Sequence, residues 1–285
     1  MSALLRAGVM GWPVTHSLSP VLHGHWLKRY EIAGTYEAFP VQPDELSDAI
    51  DRLRNEGFRG VNLTVPHKEA AMDLVDSVDD NARRIGAVNT LILSDDGTLA
   101  ATNTDAYGLI ENIRAHAPEQ LAEKFRGRPV VILGAGGAAR AALVGLADIG
   151  VREIRIVNRT VARAEALAEI VSDQNVTVEA ISWRARTEAF VDAGLLVNTT
   201  TLGMQGQAAL DLDLTTLPKD AVVNDIVYAP LETGLLAAAR LRKNPVVDGL
   251  GMLLYQARAG FRAWFGVDPE VDDDLRSAVL AVSPK

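Results

Sequence analysis

The sequence contains no cysteine, which excludes disulfides, thiolate metal sites and cysteine nucleophiles. It also lacks an apolar run near the roughly 18 residues of a membrane-spanning helix, and its first residues, MSALLRAGVMGWPV, form too short an apolar run for a secretory signal. A clustered basic surface is missing as well, since the net charge is −9 and the pI is near 5.1. We therefore expect a cytoplasmic protein that acts on small molecules rather than on nucleic acid or membranes.

Short apolar strands alternate with helical patterns along the first half of the chain, and this order predicts an α/β fold with a mostly parallel sheet. With 285 residues, of which 48% are hydrophobic, the chain is long enough for two domains with real cores. The predicted strands are Ala7–Gly11, Thr35–Phe39, Gly60–Val65, Ala87–Leu93 and Thr98–Thr102. The predicted helices are Pro20–Glu31, Pro43–Asn55, Pro66–Asp73 and Ala106–His116.

The second half has a more regular pattern that begins at Pro129, after the polar stretch APEQLAEKFRGRP, which we interpret as a domain border. Six short apolar strands follow, with the sequences VVILG, EIRIVNR, VTVEAI, LLVNTT, AVVNDI and PVVDG. Such strands with crossover helices between them predict a doubly wound nucleotide-binding sheet.

The most specific local motif is VVILGAGGAARAALVGLADIG, in which glycines follow a strand and begin a helix. Gly134 permits a tight turn, Gly136 lets the backbone approach a pyrophosphate, and the small Ala139 allows the helix to pack closely on the strand. The motif therefore predicts a dinucleotide site. A ligand-free turn and a methyltransferase with another nucleotide are the alternatives.

The position about twenty residues past the glycines, where an NAD-binding fold places a carboxylate for the ribose, reads IVNRTVARA here. It offers donors and positive charge instead, from Asn158, Arg159, Thr160 and Arg163. Because an arginine beside the ribose accommodates a 2′-phosphate, this stretch predicts NADP rather than NAD. The alternative is that Arg159 and Arg163 are only the solvated start of a helix.

Three more stretches, NTTTLGM, DIVYAPLETGLL and VVDGLGMLLYQA, follow strands at the ends where such sheets bind ligands. Their Met204, Tyr228 and Met252 are equally compatible with core positions. In HSLSP, Ser17 and Ser19 are two residues apart, so their hydroxyls point the same way if the segment is extended, and Pro20 suits a first helical turn. This predicts a carboxylate receptor, and the alternative is that Ser19 is only an N-cap.

The motifs GWPVTHSLSPVLHGHW, GVNLTVPHK, GAVNT, NTDAYG, GAGGAARA, NRTVARA, NTTTLGM, DIVYAPLETGLL and GLGMLLYQA occur in an order and spacing that resemble the shikimate dehydrogenases. The resemblance runs from about Gly8 to Gln256. It implies interconversion of 3-dehydroshikimate and shikimate with NADP(H), in a cleft between a substrate domain and a Rossmann domain. The implied domains are residues 1–104 for substrate binding and catalysis, residues 105–248 as the Rossmann NADP-binding domain, and residues 249–285 as helices that return to the first domain.

The resemblance also implies site residues. Lys68 and Asp105 match the catalytic lysine and aspartate. From sequence alone, the alternatives are a solvated lysine at Lys68 and a helix cap at Asp105, and a cap can coexist with a catalytic role. The implied substrate-binding residues are Ser17, Ser19, Thr64, Asn89, Tyr228 and Gln256, while Asn62 belongs to the same motif and is also suited to bonding the backbone. The implied cofactor-binding residues are Asp80, Gly134, Ala135, Gly136, Gly137, Ala138, Asn158, Arg159, Thr160, Arg163, Thr199, Met204, Ile226, Gly249 and Met252.

Two positions depart from the family pattern. Leu18 replaces a basic residue that is common between the two serines, and Gly24 stands where asparagine is usual. Neither removes a catalytic group. The histidines His16, His23, His25 and His67 lack an accompanying carboxylate or cysteine pattern, so we predict no metal site.

Three hypotheses follow. The first is an NADP-dependent shikimate dehydrogenase, monomeric or homodimeric. The second is a broader quinate/shikimate dehydrogenase, with discrimination near Ser17, Ser19 and Tyr228 because quinate carries an extra hydroxyl on the carbon that bears the carboxylate. The third is a non-catalytic NADP-binding sensor, which would need neither Lys68 nor Asp105.

Overall fold

The computed structural model describes residues 4–116 and 127–283, and these form two compact units. The first unit contains the chain up to Thr104 together with Leu254–Ser283, and the second contains Asp105–Leu253. Most of the polar stretch interpreted as a domain border, residues 117–126, lies outside the described residues. Among the described residues, no helix is long and apolar enough to cross a membrane.

The strands and α-helices are named here in chain order. The strands are β1 (Leu5–Gly11), β2 (Gly34–Pro40), β3 (Phe58–Leu63), β4 (Ser77–Val78), β5 (Thr90–Leu93), β6 (Leu99–Thr102), β7 (Val130–Leu133), β8 (Glu153–Asn158), β9 (Thr177–Ser182), β10 (Leu195–Asn198), β11 (Val222–Asp225) and β12 (Val246–Val247). The helices are α1 (Ser19–Arg29), α2 (Leu46–Asn55), α3 (Asp80–Ile85), α4 (Asp105–His116), α5 (Gly137–Asp148), α6 (Val161–Ala168), α7 (Arg186–Ala189), α8 (Gly234–Leu241), α9 (Leu250–Phe265) and α10 (Asp273–Leu280).

The sheet of the first unit has the strand order β2-β1-β3-β5-β6-β4. β1 pairs in parallel with β2 and β3, and β4 pairs in parallel with β6, whereas β5 is antiparallel to both β3 and β6. The predicted α/β class with a mostly parallel sheet is therefore confirmed. Gly60 in β3 has φ +145°, and a Cβ there would lie 2.0 Å from the carbonyl oxygen of Leu91. The close pairing of β3 with β5 therefore requires glycine at this position.

Helix α1 packs Leu22, Trp26 and Leu27 into the core of the first unit, and its last turn carries Lys28 and Arg29, which suit the negative end of the helix dipole. The same helix buries His23 completely. The imidazole of His23 stacks on the ring of Tyr36 with 3.9 Å between centroids, and Trp26, Phe261 and Trp264 surround it. Burial lowers the pKa of His23 to about 3, so the ring is neutral near neutral pH.

The predicted helix Pro66–Asp73 is wrong. Turns occupy its first part, and only a short 3₁₀ helix, Ala70–Asp73, follows. The reason is that polar groups of this segment form hydrogen bonds with distant parts of the chain instead of within a helix. The carbonyl of Lys68 accepts a hydrogen bond from the amide of Val88 at 2.8 Å, and the buried ring of His67 bonds the carbonyl of Val41 at 2.9 Å. Lys68 is therefore fixed against the chain that leads into β5.

The second unit contains a fully parallel sheet in the order β12-β11-β10-β7-β8-β9. Its six strands lie where the apolar runs predicted them, and two buried clusters cover its two faces, one around Leu143 and Ile132 and one around Phe190 and Leu196. The order reverses between β7 and β10, which creates the switch point where ligands bind in doubly wound sheets. The doubly wound prediction is confirmed.

Candidate active site

The loop after β1 carries the two predicted serines of the first unit. Ser17 is half-buried, and its hydroxyl oxygen accepts a hydrogen bond from the amide of Ser19 at 3.3 Å. Between them Leu18 has helical backbone angles (φ −83°, ψ −7°) and is the N-cap of α1, so Ser19 is a buried residue of the first helical turn. The extended geometry assumed from the sequence and the alternative of Ser19 as an N-cap are both wrong, because the helix begins one residue earlier.

Asn89 lies at the centre of a buried network of side chains in the first unit. Its amide nitrogen donates to the Gln256 Oε1 at 3.1 Å and to the Thr104 hydroxyl at 3.0 Å. Its oxygen accepts from the Thr104 amide at 2.9 Å and from the Thr90 hydroxyl at 3.0 Å. Two predicted substrate residues, Asn89 and Gln256, are thus brought together although 167 positions separate them.

Two further residues extend this network. The Tyr36 hydroxyl donates to Asn62 Oδ1 at 2.6 Å. The amide nitrogen of Asn62 donates to the backbone carbonyl of Asn89 at 3.1 Å and to the Thr90 hydroxyl at 3.0 Å. Asn62 therefore bonds the backbone, which is one of the two roles considered for it, and it connects Tyr36 to Asn89. Sequence analysis missed Tyr36, because its hydroxyl meets a partner 26 residues away.

Thr64 and Lys68 follow β3 in the same unit, and both are half-buried. The Thr64 amide donates to the carbonyl of Met10 at 2.9 Å, and a Cβ on Gly11 would come within 2.3 Å of the Thr64 methyl group. The absence of a side chain at Gly11 therefore lets Thr64 lie against β1. Lys68 is attached through its carbonyl to Val88, the residue before Asn89.

Asp105 and Tyr228 belong to the second unit. Asp105 is the half-buried first residue of α4, where a carboxylate is favoured by the helix dipole. Tyr228 is half-buried after β11, and this burial raises its pKa. Their assigned roles remain predictions.

The glycine motif between β7 and α5 has the geometry of a phosphate cradle. Gly134 has φ +104°, and a Cβ there would lie 3.0 Å from side-chain atoms of Thr199 and Thr200. Gly136 is the exposed N-cap of α5, a Cβ on it would meet nothing within 4 Å, and no side chain caps the helix. The first turn carries no acidic residue, and Ala139 is buried. Amide groups at an uncapped helix start favour an anion, so these residues fit the pyrophosphate of a dinucleotide.

A second polar network lies at the ends of β10 and β11. The carboxylate of Asp225 accepts from the Asn198 side-chain amide at 2.9 Å, the Val227 amide at 3.1 Å and the Thr233 hydroxyl at 2.7 Å. Burial raises the pKa of Asp225, and these bonds oppose the rise. This network joins the two loops that carry the predicted residues Thr199 and Ile226. Sequence analysis did not assign Asn198 or Asp225, although each is a polar residue that ends an apolar strand.

Other predicted cofactor residues differ in their surroundings. At the end of β8, Arg159, Thr160 and Arg163 are exposed, and the side-chain nitrogen of Asn158 donates to the backbone carbonyl of Thr160 at 2.8 Å. Gly249 is buried so close to the chain that a Cβ would lie 2.3 Å from the carbonyl oxygen of Ile226.

Ala135, Ala138 and Met204 are half-buried, and Gly137 is exposed at the start of α5. Met252 packs against the core of the second unit, as in the core alternative. Asp80 is an exposed residue of the first unit at the start of the short helix α3, where Asp79 is the N-cap.

Comparisons with known proteins give consistent matches. Family models match at residues 9–91 (shikimate dehydrogenase substrate binding domain), 116–195 (shikimate / quinate 5-dehydrogenase) and 249–278 (shikimate 5′-dehydrogenase C-terminal domain). A shikimate dehydrogenase (NADP(+)) of Paramagnetospirillum magneticum is 56% identical over 275 residues, which cover 96% of this chain and 98% of that protein.

Solved structures agree. Shikimate 5-dehydrogenase from Thermus thermophilus, in complex with NADP(H) and shikimate, has a TM-score of 0.85 and 36% identity, over 98% of this chain and 99% of that chain. Quinate dehydrogenase from Corynebacterium glutamicum, in complex with NAD, has a TM-score of 0.89 and 29% identity over the same shares. The resemblance drawn from the motifs is confirmed, and the chain belongs to the shikimate dehydrogenase family.

Proposed function

We propose that this protein is an NADP-dependent oxidoreductase that interconverts 3-dehydroshikimate and shikimate, a step in the biosynthesis of aromatic amino acids. The observation that carries the proposal is the buried network around Asn89, which holds Gln256 and is attached next to Lys68 in a unit of a shikimate dehydrogenase fold. Carboxamides both donate and accept hydrogen bonds, so this pair can exchange a bond within the network for a bond to a ring hydroxyl of a polyol substrate.

The substrate is held by groups of complementary chemistry. We assign its carboxylate to the hydroxyls of Ser17 and Ser19 at the start of α1, where the helix dipole also favours an anion. The remaining oxygens and ring hydroxyls are assigned to Thr64, Asn89, Tyr228 and Gln256.

Lys68 and Asp105 are assigned the proton of the reaction. Reduction of the ketone requires a proton at the new alkoxide oxygen, and oxidation of the alcohol requires its removal. An ammonium group and a carboxylate together can donate and accept that proton in the two directions. We assign the proton transfer to Lys68 and Asp105 together and not to one of them alone.

The residues of the second unit are assigned to NADP, which when bound exchanges a hydride with the substrate carbon. Gly134 and Gly136 leave room for the pyrophosphate at the start of α5. The exposed guanidinium groups of Arg159 and Arg163 are assigned to the 2′-phosphate, which they can bind with charged hydrogen bonds.

The proposal extends to the organisation of the chain. We assign residues 1–104 to the substrate-binding and catalytic domain, residues 105–248 to the NADP-binding domain, and residues 249–285 to a C-terminal segment that returns to the first domain. Of that segment, Leu254–Ser283 belong to the first compact unit and residues 249–253 to the second. The protein works in the cytoplasm on a small-molecule substrate, without nucleic acid, as a monomer or homodimer.

The test is the initial rate of NADPH or NADH formation by the purified protein, with shikimate or quinate as substrate and NADP⁺ or NAD⁺ as cofactor. We expect rapid turnover with shikimate and NADP⁺. Turnover with quinate would favour the second candidate, a broader quinate/shikimate dehydrogenase, which the structural similarity to a quinate dehydrogenase supports. No turnover with any pair, in a protein that binds NADP⁺, would reject both candidates in favour of a sensor.

A further inference from the structure

We propose that Tyr36 is a positioning residue of the substrate site, whose hydroxyl holds Asn89 in place through Asn62. This inference rests on the proposed function, since Asn89 is there a substrate-binding residue. Tyr36 is itself buried and is assigned no contact with substrate.

The bonds leave one arrangement for the Asn62 carboxamide. Its nitrogen donates both of its hydrogens, to the Asn89 carbonyl and to the Thr90 hydroxyl. Its oxygen therefore needs a donor, and the Tyr36 hydroxyl supplies it at 2.6 Å. The Thr90 hydroxyl donates in turn to Asn89 Oδ1. Asn62 thus supports Asn89 at its backbone directly and at its side chain through Thr90.

The Tyr36 hydroxyl keeps its hydrogen near neutral pH, because burial raises the pKa of this phenol. It has only one hydrogen to donate, and the geometry directs it to the Asn62 oxygen. The bond between Tyr36 and Asn62 therefore persists across the pH range in which the enzyme is assayed.

The ring of Tyr36 is held so that this hydroxyl has a fixed place. Its face stacks on the neutral imidazole of His23 with an angle of 6° between the rings, and the Trp264 ring lies 6.0 Å from it. Both ring nitrogens of His23 lack hydrogen-bond partners among the described residues, so His23 acts as an apolar wall. Phenylalanine at position 36 would keep this packing and remove only the hydroxyl.

The experiment is Tyr36→Phe in the full chain, with Tyr30→Phe as matched control. The Tyr30 hydroxyl accepts from the Glu270 amide at 3.0 Å elsewhere in the same unit. In Tyr36→Phe we expect the KM for shikimate to rise about tenfold, while kcat and the KM for NADP⁺ change less than about threefold, since the loss of one buried hydrogen bond is of this size. The control should keep all three values. The proposal would be overturned if folded Tyr36→Phe had the wild-type KM for shikimate. It would also be overturned if both KM values rose and kcat fell by the same factor.

A second readout needs no turnover. The Thr104 amide bonds to Asn89 Oδ1, so its hydrogen exchange, followed by NMR, reports how firmly the Asn89 side chain is held. We expect faster exchange in Tyr36→Phe and unchanged exchange in Tyr30→Phe. If the wild type does not oxidise shikimate, the proposed function fails, while this exchange still decides whether Tyr36 holds Asn89.

Thr90→Val tests the last link and stands in if Tyr36→Phe does not fold. It removes the hydroxyl between Asn62 and Asn89 with little change in shape. We expect the same selective rise in the KM for shikimate and faster exchange of the Thr104 amide. Wild-type values for both would contradict the proposed connection.

Discussion

The polar site of the first unit and the glycine loop of the second differ in which part of the chain presents the polar groups. Around Asn89, buried side chains bond to one another, and backbone groups take part at only a few points. At the start of α5, glycines remove the side chains, and the backbone amides themselves are presented. Substitutions in the first unit should therefore act through lost side-chain groups, and in the second unit through added ones.

The largest expected effect is a difference between the two units in how the free energy of unfolding changes as the pH falls. Burial lowers the pKa of His23 from 6.5 to about 3, so between these values the unfolded chain binds a proton that the folded chain does not. Stability is thus lost as pH falls through this window, by about 1.4 kcal/mol per pH unit and on the order of 5 kcal/mol in all. In the second unit the pKa of Asp225 is raised, so protonation of its buried carboxylate favours the folded state as pH falls.

Urea unfolding between about pH 7 and pH 4, followed by tryptophan fluorescence, checks this. Trp12, Trp26 and Trp264 report on the first unit and Trp183 on the second. The first unit should lose stability in this range, and His23→Phe should flatten its pH dependence, while His16→Gln, at an exposed histidine, should keep it. An unchanged slope in His23→Phe would contradict the assignment.

Lys68→Ala should lower turnover, which depends on the first unit, without changing cofactor binding by the second unit. Removal of a proton-transfer group typically costs about 10²–10⁴-fold in kcat. The dissociation constant for NADP⁺ should not change, because the residues assigned to the cofactor lie in the second unit, Asp80 excepted. Initial rates and a binding titration measure both quantities. Lys28→Ala, at an exposed lysine of α1, should behave as wild type, and unchanged turnover in Lys68→Ala would remove the lysine from the mechanism.

Two glycines of the α5 loop should respond differently to alanine. In Gly134→Ala the positive φ and contacts near 3.0 Å should destabilise the second unit by about 1–3 kcal/mol. In Gly136→Ala the added methyl group meets nothing in the protein, so stability should stay within about 1 kcal/mol of wild type. That methyl group lies where the pyrophosphate must approach, and the dissociation constant for NADP⁺ should rise at least about tenfold. If Gly136→Ala bound NADP⁺ with wild-type affinity, the pyrophosphate would not bind next to Gly136.

Arg159→Ala should weaken NADP⁺ but not NAD⁺. A hydrogen bond to a charged group contributes about 1.5–3 kcal/mol, which corresponds to a rise of about 10–100-fold in the dissociation constant. Titrations with both cofactors measure this, with Arg152→Ala, at another exposed arginine of the second unit, as control. Equal weakening of NADP⁺ and NAD⁺ would mean that Arg159 does not contact the 2′-phosphate.

The same contrast explains what could be predicted from sequence. In the second unit the strands β7, β10 and β11 are buried throughout and begin with short apolar runs, and the glycine turn is a local motif, so these features were predictable. Tyr36 was not, because its role depends on Asn62, which only the sheet register brings near. The segment after Pro66 was mispredicted for a similar reason, since Lys68 bonds to Val88 across the fold.

Gly24, one of the two departures from the family pattern, carries the smallest expected effect. It lies exposed inside α1, and a Cβ there would meet nothing within 4 Å, so no packing or backbone reason for glycine exists in the described residues. Gly24→Ala should therefore raise the stability of the first unit by about 0.5–1 kcal/mol and leave catalysis unchanged. Urea unfolding measures this, with Gly60→Ala as the opposite case, because a Cβ there collides with Leu91. A loss of stability in Gly24→Ala would mean that α1 contacts another surface at Gly24, such as a second copy of the chain.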